Sequence, residues 1–173
     1  MTSEPQQLAE QGKQAFADQD FDQAASFFTE AASAYEALGD SLNAAEMKNN
    51  LSVAQLQAGK AQAALDAVAG TEDVFAQAGD AQRQAMAFGN RAAALEALKK
   101  WDQALEAYER SADLFADAGE TEMRSMVLQS AAAIKLRRGK VMDSAFSMIG
   151  SVQSTKKPNL LQRFLRFLLR IRQ

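Results

Sequence analysis

The sequence predicts an all-α protein built from helix-turn-helix repeats, and three observations carry the prediction. A similar ending returns at intervals of forty residues: AYEALGD at 34–40, VFAQAGD at 74–80 and LFADAGE at 114–120. Alanine dominates the composition, prolines stand only at 5 and 158, and β-branched residues are scarce, which favours helix over strand. Within each forty-residue period, small and large apolar residues recur at helical rather than strand spacing.

The elements follow in order from that register. Tyr35, Phe75 and Phe115 form an aromatic column four residues before Gly39, Gly79 and Gly119. Glycine just past a helix end reaches the left-handed conformation without steric cost, so each glycine marks a stop. A second column, Phe21, Ala61, Trp101 and Val141, opens a helix after another turn, which reads Gly59-Lys60, Lys99-Lys100 and Gly139-Lys140. Each period therefore holds two helices and two turns, over 6–40, 41–80, 81–120 and 121–154. Together they give a repeat domain of residues 1–155 and an appended segment of residues 156–173.

Within the second helix of each unit, Ala24 and Phe28, Ala64 and Val68, Ala104 and Tyr108, and Ser144 and Met148 lie four apart on one face. In the first helix the column Gly12, Ser52, Ala92, Ala132 is small throughout, which predicts close helix contact at all four positions.

A small residue in the first helix followed by Ala-x3-aromatic in the second resembles the tetratricopeptide repeat, over residues 6–154. The common form has a period of about 34 residues and a proline near its end; here the period is forty and a glycine takes that place. This is similar to the subgroup found in kinesin light chains and Pins-type adaptors. Residues 85–111, AMAFGNRAAALEALKKWDQALEAYERS, match best, with Asn50 and Asn90 where that subgroup also carries asparagine.

The resemblance implies a right-handed solenoid with the first helices along a concave face, and a protein-interaction adaptor as the function. It implies partner-binding positions at Phe16, Asn49, Val53, Leu56, Met86, Asn90, Ala93, Met126 and Gln129. Methionine suits gap-filling and adaptable binding surfaces alike, so core and groove both remain open for Met86 and Met126. A floor of small apolar residues suits an amphipathic helix better than a charged peptide tail. The Lys/Arg and Asn clamp for acidic C-termini is not formed, since Lys13 is followed four later by Ala17.

No enzyme chemistry, cofactor or metal is expected. Cysteine and histidine are absent, which removes the thiolate nucleophile, the commonest general base and the commonest metal ligands. The acidic run DQDFDQ at 18–23 imitates a calcium loop, but Gln23 stands where that loop needs glycine and Thr29 where it needs glutamate. Glu72 and Asp73 point to different faces of a helix and read as solvated.

The net charge of −3 hides a split. Residues 1–123 carry 21 Asp or Glu against 8 Lys or Arg, and residues 124–173 carry 1 against 11. The acidic body argues against nucleic acid as a partner. No apolar run approaches the ~20 residues of a membrane span, and the polar N-terminus is unlike an export signal, which predicts a cytoplasmic protein.

The segment NLLQRFLRFLLRIRQ at 159–173 reads as a basic amphipathic helix, with Phe164, Phe167 and Leu168 on its apolar side and Arg163, Arg166 and Arg170 on the other. Three fates are open to it: capping the last unit, lying on an anionic membrane surface, or filling a groove of its own or a neighbouring copy, which would be self-association.

Overall fold

The structure is a computed structural model that describes the backbone of residues 4–154 and the side chains of residues 4–139. Among the described residues are eight helices and no strand: α1 (Glu4–Ala17), α2 (Phe21–Ala37), α3 (Ser41–Gln57), α4 (Ala61–Val68), α5 (Thr71–Gln77), α6 (Ala81–Ala97), α7 (Trp101–Asp117) and α8 (Thr121–Ser154). The chain divides into two compact units, Met1–Ala132 and Ala133–Gln173, so the boundary falls inside α8. The expected amphipathic segment 159–173 lies outside the described residues.

In the first unit α1 and α2, α2 and α3, α3 and α4, α5 and α6, and α6 and α7 pack as hairpins, and α3 also packs against α6, the first helix of the next repeat. The turns obey a rule tighter than the forty-residue register. Positions 19, 39, 59, 79, 99 and 119, twenty apart, all have positive φ. Each turn closes with the same pair of backbone bonds: Gly39 N–H donates to the Glu36 carbonyl and Asp40 N–H to the Tyr35 carbonyl, and the other five repeat this pattern. This is a Schellman cap, which satisfies carbonyls that the helix end would leave orphaned. Two of the six positions are not glycine: Gln19 has φ 63° and Lys99 φ 59°. Asp20, Asp40 and Asp80 then cap the next helix, each carboxylate accepting the backbone N–H three residues on.

The predicted core columns are buried. Tyr35, Phe75 and Phe115 are inside, as are Ala24 with Phe28, Ala64 with Val68, and Ala104 with Tyr108. Phe75 shares a cluster with Ala45 and Ala87, and Phe115 packs with Ala85 and Val127, so each aromatic joins its own repeat to the next.

Two features depart from the sequence reading. The second helix of the second repeat, expected to be continuous, breaks at Ala69-Gly70, where Gly70 has φ +78° and the Thr71 hydroxyl donates to the Val68 carbonyl at 2.8 Å. The turn expected at Gly139-Lys140 is not formed, because α8 runs through it. A Cβ at Gly139 would meet nothing within 4 Å. A glycine inside a helix costs roughly 1 kcal/mol relative to alanine, which the helix-forming residues on either side of Gly139 outweigh. Ala132 is exposed in consequence, while Gly12, Ser52 and Ala92 of the same column are buried.

Candidate functional site

The residues expected to face a partner lie on α1, α3, α6 and the start of α8, the first helices of their repeats. Phe16 is half-buried and packs edge-on to Phe21, ring centroids 5.3 Å apart, where it locks the first turn. Val53, Leu56 and Ala93 are half-buried. Asn49 is only 6% exposed. Its side-chain oxygen accepts from Asn90 Nδ2 at 3.4 Å and lies 3.5 Å from the Thr71 oxygen, whose proton goes to Val68, so the two asparagines tie α3 to α6 beside the start of α5. Met86 and Met126 are the open positions, at 42% and 61% exposure. Gln129 is exposed beside Ser125.

Fixed charges border this face. The Arg83 guanidinium bonds to Asp80 at 2.6 Å and Glu46 at 3.0 Å, and sits 5.3 Å from the centre of the Phe75 ring. The Arg83 backbone N–H, and then its side chain, hold the Asp80 carboxyl below the ordinary carboxylate value. Tyr108 is buried and donates to Glu96 at 3.0 Å. Burial, and next the Glu96 charge, push its hydroxyl up to about 12.

A second concavity lies across α6. Phe88, Arg91 and Leu95 recur at i, i+3 and i+7, on the side of α6 opposite Met86, Asn90 and Ala93. Together with residues of α4, α5 and α7 they line a cavity of about 900 Å³.

The family model described as "Soluble NSF attachment protein, SNAP" matches residues 4–164. This chain belongs to the soluble NSF attachment protein (SNAP) family. Among solved structures, BtubC (BKLC) from P. vanneervenii aligns with a TM-score of 0.57 at 16% identity, covering 80% of this chain and 67% of that one. The first TPR domain of the human RPAP3 protein aligns with a TM-score of 0.49 at 23% identity, covering 75% of this chain and 95% of that domain. No curated protein matches. The tetratricopeptide-like helical repeat read from the forty-residue columns is thus the fold of this SNAP-family chain, a fold typical of protein-interaction adaptors.

In this SNAP-family chain the sequence reading missed the buried polar cluster at the α4–α5 break. Glu72, expected to be solvated, is 7% exposed, while its neighbour Asp73 is exposed. The break at Gly70 starts a fresh helix whose first turn points Glu72 inward, where its Oε1 accepts from Arg91 at 2.8 Å. Gly70, midway along an expected helix, was the available signal. The acids of the DQDFDQ run are engaged separately: Asp20 caps α2, Asp22 pairs with Lys60, and Asp18 accepts from Gln14. Among the described residues, no helix is long and apolar enough to cross a membrane.

Proposed function

We propose that this protein is a non-enzymatic adaptor that holds an amphipathic helix or peptide of a partner protein along the first helices of its repeats. The observation that carries this reading is the exposure of Met86 and Met126. They stand forty residues apart in one register, Met86 on a helix whose other large apolar side chains are largely covered and Met126 on α8, where Leu128 and Leu136 are exposed as well. Exposed methionine is costly in water and adapts its shape to a partner, which suits a binding surface better than a gap-filling one. Val53, Leu56 and Ala93 extend the apolar floor, and Asn49 with Asn90 keeps α3 and α6 at fixed spacing beneath it. A photo-crosslinking residue at Met86, in cells, should give a discrete protein adduct that disappears when Met126 is replaced by Glu. The same probe at Gln62 in α4 should give none. Equal adducts from both positions would refute the reading.

The basic segment 156–173 serves this adaptor as a cap, switch or anchor, on the strength of its sequence pattern and the charge split. Its alternative role, binding an anionic membrane surface, separates from capping in a flotation assay with anionic liposomes. Deletion should abolish flotation and leave melting unchanged if the segment is an anchor, and should lower solubility if it is a cap.

A further inference from the structure

One stripe of α8, Leu128, Ala132 and Leu136, is exposed, the leucines at 42% and 62%. The same register positions are covered in every other repeat: 8, 12 and 16, then 48, 52 and 56, then 88, 92 and 96 are all buried or half-buried. There the second helix of the repeat reaches the stripe, as Phe28 does at Gly12 and Tyr108 at Glu96. The fourth repeat carries a matching stretch at 141–154, where positions 144 and 148 keep the small-x3-large spacing. Yet α8 runs unbroken from Thr121 to Ser154, so 141–154 follows the stripe along one helix and does not lie beside it. The stripe and the stretch that fits it belong to one helix, and a helix cannot pack against itself.

The register says how they can still meet. The first hairpin sets position 12 against position 28. Three forty-residue periods on, the same pairing sets 132 against 148, 128 against 152 and 136 against 144. All three pairs are symmetric about position 140, so two copies of α8 laid antiparallel across that point satisfy each pair twice. We infer that the stripe is covered by a second copy of this chain, the two α8 helices crossing on a two-fold axis at Gly139-Lys140 and exchanging residues 141–154. An exchanged element needs no new complementarity, because it reuses the pairing that the hairpin would make within one chain. Gly139 lies three helical turns beyond Leu128 on the same face, so the crossing point carries no side chain.

The chain has no cysteine, so introduced ones report cleanly. Full-length Ala132→Cys and Met148→Cys chains, mixed and treated with a short bismaleimide, should crosslink to each other. Neither should crosslink to itself, because like positions stand about 24 Å apart along the paired helices. Arg137 and Arg138 of both copies sit near the axis and repel, so the measurement is made at about 0.3 M salt, which screens them. In sedimentation the parent should be a concentration-dependent dimer, and Leu136→Glu should weaken it by about tenfold or more by burying a charge. Met126→Glu should leave the dimer intact, since its counterpart Met86 stays exposed in a completed repeat. A monomer at every concentration would overturn the inference, and an intramolecular crosslink in the chain carrying both cysteines would then assign the cover to its own residues 141–154. Crosslinking of Ala132→Cys to itself, or loss of the dimer in Met126→Glu and not in Leu136→Glu, would overturn it as well.

Discussion

A Cβ on Gly12 would stand 2.7 Å from Cε1 and 2.8 Å from Cδ1 of Phe28. The Phe28 ring therefore rests on the bare backbone of α1, and the first hairpin closes as tightly as it does because position 12 has no side chain. Gly12→Ala should cost roughly 1–3 kcal/mol in urea unfolding, the usual range for overpacking a core. Pairing it with Phe28→Leu should cost less than the sum of the single changes, since both act on one contact. Strict additivity would show that the ring is free to move aside.

Phe75 is fully buried between the second and third repeats. Phe75→Ala should cost roughly 3–5 kcal/mol, through lost burial and the cavity left behind. Leu38→Ala makes the control, since Leu38 is 69% exposed and should change stability by less than about 0.5 kcal/mol. Similar melting of the two variants would remove the inter-repeat role assigned to the aromatic column.

Lys99 occupies a left-handed position that glycine fills at four of the six turns. The left-handed conformation costs a non-glycine residue roughly 1–2 kcal/mol, and the greater freedom of glycine in the unfolded chain returns roughly 0.5–1. Lys99→Gly should therefore stabilise by something under about 1 kcal/mol. Gly79→Ala should destabilise by about the same amount. Denaturant midpoints that moved the opposite way would contradict the cap geometry.

Tyr108 sets an alkaline limit. Its hydroxyl is raised from 10.0 to about 12, so the folded chain keeps a proton that the unfolded chain releases in that window. Stability from this group is fully present below pH 10 and is lost as pH rises toward 12, with a slope of up to about 1.4 kcal/mol per pH unit. Tyr108→Phe should flatten this part of the curve and cost stability at neutral pH through the lost bond to Glu96. Thermal melting between pH 9 and pH 12 checks both outcomes.

The sequence by itself determined the class, the repeat and most of the turns. Those are local properties: a glycine just past a helix end, an aspartate just before the next, and an aromatic residue four before the stop decide their own neighbourhoods. The buried columns follow, because a large apolar side chain at one helical phase has only one covered direction. Tertiary structure decided the rest. Gln19 and Lys99 take the left-handed cap because the packed hairpin holds them there, and Gly139, which reads in sequence like Gly59, stays helical. Asn49, one of the positions placed in the groove, is drawn inside by Asn90, whereas Met86 and Met126 remain open. Glu72 sits in a stretch whose composition reads as solvent-facing. Its burial depends on the break at Gly70 and on Arg91 arriving from another helix. A charged side chain can be buried only when a distant partner meets it, and that meeting is a property of the folded chain rather than of any stretch of its sequence.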